Sequence, residues 1–333
     1  MVGEHRLVTG PGGAGKTRLA AEVASRVADR FADGVWWAEL AAVRDPAQAA
    51  SVVAVVLGVQ ERPGELAAEA VTRTLAGQQL LLVLDNCEHV IGAAAALCAE
   101  LLPTADDVRV LATSREPLRV AGEARYRLAP LGLPDPGDLA GTVRAVAVAL
   151  FADRARATDV RFALDEQTGP VVARLVARLD GLPLAIELAA ARVEALGVIQ
   201  LLDRLDDRFD LLTAGDRTAA ERQGSLAATV AWSYQLLDEA GRRVFRAISV
   251  FPGPFTLEAA EAVAGPGAGP AVLHLLDCSL LVPPRADPDG RSRYVMLETL
   301  RAYGNRLLAE AGGRNRPLPR WPGTRLRWPS RPP

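Results

Sequence analysis

Residues 10–17 read Gly-Pro-Gly-Gly-Ala-Gly-Lys-Thr. A short β-type run, residues 6–9, precedes them and an amphipathic helical pattern, residues 18–27, follows. Strand, glycine loop and helix in that order turn successive backbone N–H groups inward at a helix N-terminus, where the peptide dipoles add positive potential. Such a loop cradles phosphate oxygens. Gly10, Gly12, Gly13, Ala14 and Gly15 form the cradle, Lys16 reaches the β/γ-phosphates, Thr17 offers its hydroxyl to Mg²⁺, and Arg18 opens the helix. Of 38 basic residues Lys16 is the only lysine. A broad planar guanidinium cannot replace a compact ammonium inside a phosphate loop, which gives the surviving lysine a physical reason.

The pattern downstream alternates strand and helix. Residues 34–40 read as a strand, and helical patterns begin at Pro46 and Pro63. Residues 80–84 are an uninterrupted aliphatic run ending at Asp85, which suits a parallel strand buried on both faces. A helix over 91–102, a strand over 108–113 and a further strand over 124–128 complete a parallel sheet with helices on both faces. Two prolines in residues 131–136 read as a linker, and helical spacing continues to about residue 245. A turn at 251–255 and a polar loop at 285–293 between apolar segments predict a β-hairpin. Residues 312–333 hold six arginines, six prolines and no acid, the composition of a disordered tail.

Asp85 at its strand end is placed to hold the metal, directly or through water, as the Walker B acid does. Asn86 stands where a second acid is common, so Glu88 or His89 would have to activate water, and hydrolysis is expected to be slow. Arg115 follows the next strand and is the candidate γ-phosphate sensor, with an ion pair to a neighbour such as Glu116 as the alternative. A net charge of -2 indicates no bulk polyanion partner. Cys87, Cys98 and Cys278 are widely spaced with no C-x-x-C pair, so neither a disulfide framework nor a zinc site is indicated. No stretch reaches the roughly 18 apolar residues of a spanning helix, and no signal peptide precedes the loop, so a cytoplasmic protein is expected. A P-loop kinase is disfavoured because no acceptor site or arginine-rich lid is evident, and GTP because the guanine-reading motif needs a second lysine.

Taken in order, GPGGAGKTRLA, LLLVLDNCEHV, VRVLATSREPL, LDGLPLAIELAAARV, VAWSYQLLDEA and RYVMLETLRAYG strongly resemble the STAND-class, NB-ARC-like P-loop ATPase core of actinobacterial SARP and LuxR-type transcriptional regulators. The resemblance runs from about residue 6 to residue 308. It implies a P-loop domain over 1–130, a helical domain over 131–217 and a winged-helix domain over 218–308, with residues 309–333 as the tail. It further implies a switch that closes over ADP and opens on exchange for ATP, with Mg²⁺ as cofactor. Self-association on ATP binding and an effector domain outside this chain follow from the same likeness, whereas direct DNA binding through the winged helix is the weaker expectation. By the same resemblance Arg115 is the sensor arginine and Pro183 packs on adenine. Leu297, in Met296-Leu297-Glu298, replaces the histidine that touches ADP in related proteins. Val2-Gly3-Glu4 is at best a remnant of the upstream segment that the resemblance implies, so the chain is expected to be the central module alone, truncated at both ends, with a nonfunctional truncated regulator fragment as the alternative.

Overall fold

The computed structural model describes residues 5–134, 145–203, 226–286 and 291–310. The remnant at Val2–Glu4, the far end of the proline linker, the 217/218 boundary, the hairpin tip and nearly all of the tail lie outside the described residues.

Five strands form one parallel sheet: β1 His5–Thr9, β2 Val35–Glu39, β3 Leu81–Asp85, β4 Arg109–Ser114 and β5 Glu123–Arg127. Their order is β2-β3-β4-β1-β5, so the strand leading into the glycine loop is separated by one strand from the strand that ends in Asp85. Alternation along each strand sorts the core into two layers. Leu7, Leu82, Leu84, Val110 and Ala112 face one cluster, whereas Val8, Leu81, Val83 and Leu111 face the other. Helices α1 Lys16–Val27, α2 Ala49–Val56, α3 Ala67–Leu75 and α4 Ile91–Leu101 cover these faces. Ala20 and Ala24 of α1 fill the second layer, and α2, α3 and α4 fill the first. Both faces of β3 are therefore buried, as its unbroken aliphatic run requires. β5 is an edge strand with exposed Tyr126 and alternating arginines, a composition that discourages further strand pairing.

After the sheet come α5 Val146–Thr158, α6 Thr168–Arg178, α7 Pro183–Ala190 and α8 Val193–Asp203. These are followed by α9 Leu226–Gln235, α10 Glu239–Ile248, α11 Leu257–Ala264 and α12 Gly269–Asp277. The antiparallel pair β6 Val282–Ala286 and β7 Ser292–Val295 then leads to α13 Glu298–Glu310. Phe255 adds a bridge to Tyr294 at the hairpin's edge. One apolar cluster runs through this whole region, from Phe151 and Leu175 through Ile186 and Leu201 to Phe245, Val272 and Tyr303.

Two short backbone bonds tie this region to the sheet. Leu131 N donates to Gly181 O at 2.9 Å and Leu184 N donates to Gly13 O at 3.2 Å. Gly181 has φ +64, and a Cβ there would stand 2.4 Å from Leu131 O, so the turn before α7 admits only glycine. Its neighbour Asp180, also left-handed at φ 56, accepts from Thr299 N at 2.7 Å and so joins α7 to the start of α13. No described helix is long and apolar enough to cross a membrane.

Candidate functional site

Parallel pairing in register brings the C-terminal ends of β1, β3 and β4 to one edge of the sheet, with Thr9 opposite Ser114 and Leu84 opposite Ala112. Open parallel sheets bind ligands at such an edge. There the chain leaves β1 through the glycine loop and enters α1 at Lys16. Gly15 caps α1 in the left-handed region at φ 94 with no side-chain cap, which leaves the helix dipole and its first N–H groups directed into the loop. Gly13 has φ +77, and a Cβ on it would meet Leu184 Cβ at 2.9 Å. That contact places α7, with Pro183 at its first turn, directly against the loop. Ala14 is buried and its N–H donates to Pro11 O at 3.2 Å. Arg18 points outward, 4.0 Å from Glu187 of α7.

Lys16 Nζ folds back over the loop and donates to Gly10 O at 2.9 Å and Pro11 O at 3.2 Å. Desolvation pushes its pKa down to about 8, with the carboxylates of Glu88 and Asp85 opposing and Arg115 adding to the shift. Thr17 Oγ1 donates to Asp85 Oδ1 at 3.0 Å, so the two side chains expected to share a metal already touch. Thr113 Oγ1 donates to the same Asp85 oxygen and accepts from Asn86 N at 2.9 Å. Thr113 therefore fixes the buried carboxylate from the neighbouring strand. Hydroxyl and carboxylate are hard oxygen donors of the kind Mg²⁺ takes alongside phosphate, so the residues present fit that ion.

Glu88 and Arg115, assigned separately from the sequence, are partners here. Arg115 Nε lies 2.8 Å from Glu88 Oε1, with side chains only 11% and 3% exposed. The ion pair is thus with Glu88 and not with the adjacent Glu116. Asn86, with its amide nitrogen facing the acid, donates to Glu88 Oε1 at 2.8 Å. Arg115 also donates to Ser233 Oγ of α9, and its carbonyl accepts from Ser279 Oγ at 2.8 Å. Burial lowers the Arg115 pKa while Glu88 opposes the fall. In this arrangement the carboxylate proposed for water activation is held by a guanidinium and an amide. It must be released before it can serve as a base.

Further contacts join the same two regions: Arg127 Nη2 donates to Leu281 O at 2.6 Å, and Arg119 pairs with Asp277 at 2.8 Å. Thr113 and Ser233 were not singled out from the sequence. Thr113 had a local signal at the end of an apolar strand. Ser233 meets Arg115 across 118 residues, and no spacing along the chain reveals that contact. Leu297 is partly buried against the C-terminal apolar cluster.

No protein-family model matches the chain. A Mycobacterium tuberculosis protein named as an HTH-type transcriptional regulator is 40% identical over 320 residues, 94% of this chain and 35% of its own length. The chain thus spans about a third of that relative. An uncharacterised M. tuberculosis protein is 34% identical over 330 residues, 96% of this chain and 81% of its own length. Among solved structures, the Aeropyrum pernix ORC2 protein in its ADPNP-ADP complexes superposes with a TM-score of 0.50 at 12% identity, covering 93% of this chain and 89% of that one. That likeness concerns the fold alone, a parallel sheet with covering helices followed by further helices. At 34% identity and with 81% of that protein's length covered, the chain belongs to one family with the uncharacterised M. tuberculosis protein.

Proposed function

We propose that the chain is a nucleotide-responsive switch module of a transcriptional regulator, binding Mg·ATP or Mg·ADP at Gly10–Thr17 with slow or absent hydrolysis. The observation that carries this reading is Arg115, which stands at the phosphate edge of the sheet yet is held by Glu88 and by Ser233 of a distant helix. A γ-phosphate competing for that guanidinium would draw it from its partners and loosen the junction between the sheet and the C-terminal helices. A ligand shifts such an equilibrium only by binding one state better than the other, which ATP can do and ADP cannot if the discriminating contact is to the third phosphate. In this reading residues 1–130, 131–217 and 218–308 act as nucleotide-binding, helical and winged-helix units, and Pro183 meets the base. Thr17 and Asp85 hold Mg²⁺, which neutralises phosphate charge. ATP-dependent self-association and an effector domain elsewhere complete the scheme.

Turnover is expected to fall below the roughly 1–100 s⁻¹ of efficient phosphoryl-transfer enzymes, because Asn86 replaces a second acid and Glu88 is committed to Arg115. Steady-state phosphate release measures this, and a rate inside that range would make the protein a catalyst instead. Asp85→Ala should remove the Mg²⁺ dependence of nucleotide binding while leaving weak metal-free binding through Lys16.

Lys16 supplies a pH signature. Its pKa of about 8 in the free protein rises when phosphate oxygens replace the carbonyls around it, because anions favour the ammonium. Affinity should be level below pH 8 and fall above it by up to about tenfold per unit, with about half a proton taken up per nucleotide at pH 8. Calorimetry in two buffers of different ionisation enthalpy reads that uptake directly. Proton release on binding would contradict the assignment of Lys16 to the phosphates.

A further inference from the structure

The loop after β4 and the end of α12 bring together three side chains that bind metals. Glu116, His274 and Cys278 each offer a ligand atom, and the three atoms lie within 4.8 Å of one another. His274 and Cys278 are four residues apart, so the helix sets them on one face. Cys278 Sγ lies 3.6 Å from His274 Nε2 and 4.0 Å from Glu116 Oε2. Zinc bonds of about 2.3 Å to sulfur and about 2.0 Å to nitrogen or oxygen give tetrahedral S···N and S···O edges of about 3.5 Å. The donors therefore stand near the spacing that the ion needs, before any rearrangement. All three are half-buried, which leaves room for water as a fourth ligand.

We propose that Glu116, His274 and Cys278 form a zinc site that fastens the loop carrying Arg115 to α12. Thiolate, imidazole and a single carboxylate suit a borderline-soft cation and not Mg²⁺ or Ca²⁺, which take all-oxygen shells. The sequence shows no zinc pattern because the ligands are one helical pair and an acid 162 residues from Cys278. The position gives the ion a structural role. On either side of the cluster the same two elements are already joined, by Ser279 Oγ to Arg115 O at 2.8 Å and by Arg119 to Asp277 at 2.8 Å. A metal between these contacts ties the loop after β4 to α12 at the junction that Arg115 spans, and because its binding is read without nucleotide, its failure and that of the switch reading are told apart.

Co²⁺ added to chelator-stripped full-length protein provides the test. One Co²⁺ per chain should produce a thiolate-to-cobalt charge-transfer band with intense tetrahedral d–d absorption, and Zn²⁺ should displace it and raise the melting temperature. Cys278→Ser should abolish the charge-transfer band, and His274→Gln or Glu116→Gln should weaken Co²⁺ at least tenfold. A measurement on the unaltered chain covers the case of a variant that fails to fold: Zn²⁺ should slow alkylation of Cys278, mapped by mass spectrometry. No charge-transfer band in the wild type, a band that survives Cys278→Ser, or alkylation of Cys278 unchanged by Zn²⁺ would each overturn the site.

Discussion

Lys16→Ala is expected to abolish the thermal stabilisation that Mg·ATP and Mg·ADP should give the wild-type chain under the proposed function. In the free protein the Lys16 ammonium is held by Gly10 O and Pro11 O at the mouth of the loop, a position from which a phosphate oxygen can take it over. A ligand that binds only the folded state stabilises by about 2.7 kcal/mol at a hundredfold excess over its Kd. Loss of the single cation in the loop removes the charge-assisted contacts on which that affinity depends. No second lysine exists to compensate, and Arg18 is turned toward Glu187. Differential scanning fluorimetry of wild type and variant at millimolar nucleotide checks this. A shift retained in the variant would move the binding site elsewhere.

Arg115→Ala is expected to act on both stability and nucleotide choice. Its guanidinium is buried against Glu88, so truncation strands a carboxylate that is only 3% exposed. Breaking a buried pair from one side typically costs about 3–5 kcal/mol, much of it the penalty of the charge left behind. Removing both partners should therefore cost less than the sum of the two single losses, and a double-mutant cycle with Glu88→Ala by urea denaturation reads that coupling. The same variant should bind an ATP analogue about 1.5–3 kcal/mol more weakly, the scale of a hydrogen bond to a charged group, with ADP nearly unchanged. Additive stability losses would remove the ion pair from the account. Equal losses for both nucleotides would remove Arg115 as the means of telling them apart.

The sheet was legible because its buried strands carry continuous apolar runs between turn signals. The reading of residues 80–84 followed by Asp85 differs from β3 by one residue, and 108–113 differs from β4 by one. Helix starts after prolines were less legible. The pattern from Pro46 begins as a 3₁₀ turn capped by Asp45, and α2 follows only at Ala49. That from Pro63 is delayed to Ala67, because Gly64 at φ +84 and the bond from Arg62 N to Glu65 make a turn first. Within the helical spacing that continues to about residue 245, the backbone leaves helical geometry at Gly197, which the spacing did not show.

The candidate site divides the same way. The glycine loop, Lys16, Thr17 and Asp85 follow from a contiguous motif and a strand end, and the structure sets them within hydrogen-bonding reach of one another. What the sequence could not show are the long-range partners. Glu88 with Arg115, Arg115 with Ser233, and Glu116 with His274 and Cys278 depend on strand order and on how the C-terminal helices fold back over the sheet.

The most direct measurement is calorimetric titration of the full chain, with Mg²⁺ present, using ADP and a non-hydrolysable ATP analogue in turn. The account predicts one saturable site for each ligand, both lost in Lys16→Ala, with only the ATP analogue weakened in Arg115→Ala. Absence of binding at millimolar nucleotide in the intact wild-type chain, or binding untouched by Lys16→Ala, would contradict it.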